Sequence, residues 1–121
     1  MIMNESIRVL IVEDELSVRA LADLVLTLTG YGVCTAATPK EALHILEAER
    51  DIDLVLTDIV LPEMTGYDFV EEAQRIKPQL RVVFMSGHVS DYVRRGGNDR
   101  FLAKPFTVES LRTVIRAAMA A

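Results

Sequence analysis

Apolar residues along the chain fall in short runs separated by longer stretches of helical periodicity, five times over. Ile7–Val12 is a nearly continuous apolar run, as expected of a strand covered on both faces. From Glu15 to Thr29, Leu21, Leu24, Val25 and Leu28 recur at helical spacing and predict the buried face of a first helix. Gly30 and Gly32 stop that helix, and Gly32–Ala37 reads as a second, short strand. Thr38-Pro39-Lys40-Glu41 is a helix start, with Thr at the cap, Pro at the first position and Glu three residues on. This second helix should run to about Glu49 and partly bury Ala42, Leu43, Ile45 and Leu46. Asp53–Thr57 is the third strand, and its Leu-Val-Leu core suggests a central place in a sheet. After a loop over Asp58–Gly66, Tyr67–Ile76 reads as a helix that ends before Lys77-Pro78, because Pro disfavours helix at the residue before it. Arg81–Met85 and Phe101–Ala103 are the fourth and fifth strands. Gly87, Gly96 and Gly97 weaken any helix over Ser86–Asn98. Thr107 caps a last helix whose apolar face is Val108, Leu111, Val114, Ile115 and Ala118.

Five β–α repeats, strand first, imply an α/β fold: a parallel sheet with helices on both faces. Right-handed crossovers leave few topologies. The expectation is a flavodoxin-like, doubly wound (βα)5 domain with five strands in the order 2-1-3-4-5. In that order the first and third strands are neighbours, and Asp14 and Asp58 face each other.

Composition narrows the function. A chain of 121 residues is one domain with one core, read as a single unit over residues 1–121. Its net charge of −5 argues against nucleic-acid binding, which needs a basic face, and suits carboxylates gathered around a divalent cation. The single cysteine, Cys34, excludes an internal disulfide and fits a reducing compartment. The opening MIMNES lacks the basic and apolar regions of a secretory signal, and no apolar run reaches membrane-spanning length. The expectation is a cytoplasmic, soluble domain with no membrane partner.

Four of the apolar runs end in residues that suit phosphate or metal chemistry. The first runs into Glu13 and Asp14, the third into Asp58, the fourth into Ser86, and the fifth into Lys104 and Pro105. Each has an ordinary reading alone: a helix-capping pair, a loop aspartate, a turn serine, a surface lysine. Together they converge on the carboxyl edge of one sheet, where open parallel sheets bind ligands. Three carboxylates so placed repel one another, and a hard cation such as magnesium relieves the conflict. Lys104 can neutralise Asp58 or hold a phosphoryl oxygen, and Ser86 can donate a hydrogen bond. A carboxylate can itself attack phosphorus and form an acyl phosphate.

These residues resemble the receiver domain of two-component response regulators, from about Ile7 to Ala118. The segments that carry the resemblance are LVLTDIVLPEMTG (Leu54–Gly66), LIVEDE (Leu10–Glu15) and KPF (Lys104–Phe106). The resemblance implies a phosphorelay switch in which Asp58 accepts a phosphoryl group from a phosphohistidine. Glu13, Asp14, Asp58 and the backbone carbonyl of Val60 would bind Mg2+, or another divalent cation such as Mn2+. Ser86 would be the switch hydroxyl, Lys104 the phosphate-binding lysine and Phe101 the aromatic switch residue. The Lys104–Pro105 peptide bond would be cis. Partners would be a histidine kinase or a histidine phosphotransfer protein, with a further downstream protein. The domain would be a monomer or weak dimer and no conventional enzyme. RVVFMSGH and FLAKPFT look like receivers appended to hybrid histidine kinases, so the chain could stand alone or be one part of a longer protein.

The chain departs from the family pattern in several places. Glu13 replaces the more usual Asp, Thr65 stands where Asp often precedes the glycine, and Phe101 lacks a tyrosine's hydroxyl. Ser86 and Lys104 are separated by 17 residues, fewer than is usual in the family. A short or irregular fourth helix is expected there. His88 reads as a loop residue near the site mouth and His44 as part of a solvated helix face. Val60, being apolar, cannot orient a hydrolytic water. Two alternatives stand beside the switch. A metal-dependent aspartyl phosphatase would want a second Asp at Val60, and a non-phosphorylated interaction module would not need the filled site.

Overall fold

A computed structural model describes residues 7–87 and 100–120. It contains β1 (Arg8–Val12), α1 (Leu16–Leu28), β2 (Gly32–Ala36), α2 (Pro39–Ala48), β3 (Leu54–Asp58), α3 (Gly66–Ile76), β4 (Arg81–Ser86), β5 (Arg100–Ala103) and α4 (Val108–Ala120). The five strands form one parallel sheet in the order β2-β1-β3-β4-β5, as expected. The short fourth helix anticipated between Ser86 and Lys104 falls on residues 88–99, as does His88, and both lie outside the described residues.

Strand residues alternate between two apolar layers, as the two-residue period of a strand requires. On one face Val9, Ile11, Leu54, Leu56, Val83, Met85 and Leu102 pack with α1 and α4. On the other, Leu10, Val12, Val55 and Phe84 pack with α2 and α3. All five residues of β3 are buried, which agrees with its central position.

The helix starts follow local chemistry. Thr38 Oγ1 accepts from the Glu41 N–H at 3.1 Å, and Glu41 Oε1 accepts from the Ala37 N–H at 2.8 Å. Thr65, the departure from the family's usual Asp, caps α3 by accepting from the Asp68 N–H at 3.1 Å. Thr107 and Ser110 cap α4 reciprocally: each hydroxyl accepts from the other's N–H, at 3.0 and 2.9 Å. α3 ends at Ile76, before Lys77-Pro78, as expected.

The buried face of α1 is a correction. The helix buries Ala22, Val25 and Leu26. Of the four residues expected inside, only Val25 is; Leu21, Leu24 and Leu28 are 46, 56 and 75% exposed, and Leu16 is 68% exposed. The leucines of α1 define two competing stripes, and the sheet covers the face that carries Ala22, Val25 and Leu26. Every exposed residue of α1 (Leu16, Ser17, Ala20, Leu21, Leu24, Thr27, Leu28) is uncharged. Similarly, in α4 Leu111, Ile115 and Ala118 are buried while Val108 is exposed. His44 lies on the exposed side of α2, as expected.

Candidate functional site

The carboxyl ends of β1, β3, β4 and β5 bring Glu13, Asp14, Asp58, Ser86 and Lys104 to one edge of the sheet. Register explains the convergence. Val12 pairs with Thr57, so the residues that follow them, Glu13 and Asp58, stand side by side. Asp58 pairs with Met85, which places Ser86 one step beyond it, and Ser86 pairs with Ala103, the residue before Lys104. The Lys104 N–H donates to the Ser86 carbonyl at 2.9 Å.

Lys104 is the electrostatic centre. Its Nζ donates to Asp58 Oδ2 at 2.9 Å and to Glu13 Oε1 at 2.9 Å. Asp58 Oδ1 accepts from the Val60 N–H at 3.3 Å. Glu13 Oε2 accepts from the Glu15 N–H at 3.0 Å, and the Glu13 carbonyl accepts from Arg19 Nη1 at 2.8 Å. Glu13, Asp58 and Ser86 are buried, while Asp14 is exposed. Burial pushes the Glu13 carboxyl above its ordinary value, despite the opposing pull of Lys104 and the Glu15 N–H. Burial alone would lower Lys104, but its hydrogen bonds to Glu13 and Asp58 hold the ammonium above its ordinary value.

One carboxylate oxygen from each of Glu13, Asp14 and Asp58 lies within 4.8 Å of the others. Three hard oxygen donors at this spacing suit a magnesium-type ion, which keeps part of its water shell. The residues present therefore fit the expected metal.

The loop from β3 to α3 is held tightly. A Cβ on Gly66 would lie 2.3 Å from the Asp58 carbonyl oxygen, so only glycine fits there. The Gly66 N–H donates to the Ile59 carbonyl at 2.6 Å, and Glu63 takes a left-handed φ of 74°. The side chain of Val60 is 67% exposed. The Lys104–Pro105 bond is cis, as expected. Phe101 is half-buried, and its ring lies 5.7 Å from that of Phe84, its register partner on β4. Phe84 in turn packs 4.8 Å from Tyr67 at the start of α3.

Residues 9–116 match the response regulator receiver domain. The chain belongs to that family. It is 35% identical over 119 residues to the sensor kinase CckA of Brucella abortus, a match that covers 94% of the chain and 13% of the kinase. Among solved structures it is similar to a CheY-like receiver domain protein from Methanospirillum hungatei, with 30% identity, a TM-score of 0.83 and 94% of each chain covered. The receiver domain of the hybrid histidine kinase CckA is also similar, with 33% identity, a TM-score of 0.80, and 93% of this chain and 98% of that one covered. The chain spans less than half the length of the probable transcriptional regulators it also matches. It is thus a receiver domain of two-component signalling, a phosphorylation-switch family. Among the described residues no helix is long and apolar enough to cross a membrane.

Three features of the site escaped the sequence reading. The contact of Lys104 with Glu13 as well as Asp58 has no sequence signal, because it joins residues 91 apart. Arg19 on the Glu13 carbonyl could have been suspected only from its place in the first turns of α1. The aromatic contact of Phe84 with Phe101 was legible in principle, since aligning β4 and β5 places the two rings side by side.

Proposed function

We propose that this receiver accepts a phosphoryl group on Asp58 from a phosphohistidine carried by a histidine kinase or a phosphotransfer protein, in the cytoplasm. The observation that carries the reading is the Lys104 ammonium seated 2.9 Å from Asp58 Oδ2 beside two further carboxylates. In the transfer, the P–N bond breaks with its electron pair going to the imidazole, and a P–O bond forms to Asp58. The acidic set of Glu13, Asp14 and Asp58, with the Val60 carbonyl, supplies the charge and donors for magnesium. The cation supplies neutralisation of the incoming phosphoryl charge. Lys104 takes a second phosphoryl oxygen, and the Ser86 hydroxyl donates to a third. Phe101, packed on Phe84, shifts its packing with Ser86, so the phosphorylated population favours a second arrangement of this edge. Exposed Val60 offers no hydrogen bond to a hydrolytic water, which favours a long-lived acyl phosphate.

The exposed, uncharged face of α1 suits docking of the histidine-bearing donor. It begins beside the site, where Ser17, Val18, Leu21, Lys104, Pro105 and Phe106 line a shallow, mostly apolar groove of about 210 Å³. A partner that presents phosphohistidine to Asp58 covers this groove and the leucines that continue from it. One short helix face is small beside the roughly 1,200 Å² of a stable interface, which suits a transient encounter.

The test is incubation with magnesium and phosphoramidate, followed by intact mass. A single labile phosphoryl adduct is expected on the parent chain and none on Asp58→Asn. No adduct on the parent, or an equal adduct on the variant, overturns the assignment. Catalytic turnover of phosphate esters would favour an aspartyl phosphatase instead.

A further inference from the structure

α1 differs from the other helices in how its start is held. α2, α3 and α4 each begin on a threonine whose hydroxyl accepts a backbone N–H of the first turn. α1 begins on Glu15, whose side chain accepts no such bond. The chain leaving β1 is held instead at two peptide groups. Arg19 Nη1 reaches back six residues and donates to the Glu13 carbonyl at 2.8 Å. Glu13 Oε2 accepts from the Glu15 N–H at 3.0 Å. These are the two peptide groups on either side of Asp14. Asp14 is exposed, and among the described residues its carboxylate accepts no hydrogen bond, whereas Asp58 is held by Lys104 and the Val60 N–H.

We infer that Arg19 is a positioning residue, which clamps the peptide group ahead of Asp14 and so aims the Asp14 carboxylate into the site. The inference rests on the reading of this edge as a magnesium-dependent phosphoacceptor site. Peptide groups are planar, so fixing the two that flank an α-carbon fixes its φ and ψ, and with them the direction of the side chain. A carboxylate with no partner of its own is aimed by its backbone alone. Arg19 is suited to the clamp because its own backbone is set in the helix, where its N–H donates to the Glu15 carbonyl at 3.0 Å. Its side chain forms no ion pair among the described residues, so its contact with the site runs through the Glu13 carbonyl. That bond is charge-assisted and partly buried, which makes it stronger than a neutral one in water. Carboxylate oxygens of Glu13, Asp14 and Asp58 lie within 4.8 Å of one another, and holding Asp14 in that place lowers the ordering cost of binding a cation.

The test separates positioning from charge, because the two predict opposite signs. Removing a positive charge from beside three carboxylates should, by electrostatics alone, tighten magnesium binding. Loosening Asp14 should weaken it. Magnesium affinity of the whole chain is measured by calorimetry for the parent and for Arg19→Met, which keeps an unbranched stem and removes every donor. The dissociation constant is expected to rise about tenfold, as loss of one charge-assisted hydrogen bond implies. The magnesium needed for half-maximal phosphorylation by phosphoramidate should rise with it, and high magnesium should restore the rate. In an Asp14→Asn background, Arg19→Met should weaken binding no further. Arg19→Lys keeps the charge and a donor, and should recover part of the affinity. Without metal, the Asp14 amide 15N–1H signal, which reports on the peptide group that Arg19 clamps, should shift in Arg19→Met. Unchanged or tighter magnesium binding by a folded Arg19→Met, or a further loss on adding it to Asp14→Asn, overturns the inference. Should Arg19→Met not fold, Arg19→Gln, too short to reach the carbonyl, is read in the same way. A parent that binds magnesium but forms no adduct overturns the Asp58 reading alone, and one that binds no magnesium overturns both.

Discussion

Residue by residue, the site is a balance of buried charge, and its variants should show it. Lys104 compensates both Glu13 and Asp58, so Lys104→Met leaves two carboxylates facing each other. A loss of about 2 kcal/mol is expected from urea unfolding at pH 7, and a smaller loss near pH 4, where the carboxylates take up protons. The raised Glu13 carboxyl means that the folded chain binds that proton more tightly than the unfolded chain. Its contribution is complete below the ordinary glutamate value and is lost as pH rises through the raised folded value. Glu13→Gln copies the protonated form. Without metal it should match the parent near pH 4 and exceed it in melting temperature at pH 7. Lys104 is also raised, so its contribution persists through neutrality and is lost only above about pH 10.4. Gly66→Ala pushes a methyl group to within 2.3 Å of the Asp58 carbonyl. It should cost about 2–3 kcal/mol through forced movement of the backbone, read as a lower urea midpoint.

At the scale of elements, the sequence was most legible where local chemistry decides. Thr38-Pro39 and Thr107 start helices because their side chains satisfy N–H groups that no carbonyl of the same helix can reach. Thr38→Ala should therefore cost about 1 kcal/mol, measured by chemical denaturation. α1 was misread because periodicity identifies stripes and not the side on which the sheet lies. Ala22 and Leu26 decide that side by fitting against β1 and β2, which no window on the helix alone can show. The outcome is testable. Replacing Leu21, Leu24 and Leu28 together with Gln should change stability by less than about 1 kcal/mol, since all three are exposed. Transfer from a phosphohistidine partner should fall far more than transfer from phosphoramidate.

For the molecule as a whole, the parallel order β2-β1-β3-β4-β5 makes the site by setting the ends of β1 and β3 side by side and reaching over them from β5. The net charge of −5 favours a cation at that edge. A ligand that binds only the folded state stabilises it, by about 2.7 kcal/mol at one hundred times its dissociation constant. Magnesium should therefore raise the melting temperature, a chelator should reverse the rise, and Asp14→Asn should abolish most of it.

The sequence by itself determined the strands, the helix caps and the strand order, and it named the candidate residues that the strand ends bring together. Each of these is written in local signals, namely hydrophobic period, capping chemistry and short motifs at strand ends. Only the tertiary structure decided which face of α1 is buried, that Gly66 lies against the Asp58 carbonyl, and that Lys104 bridges to Glu13 as well as Asp58. Those depend on distances between residues far apart in the chain, set by strand register and the close packing of the core. Periodicity along the chain carries no record of them.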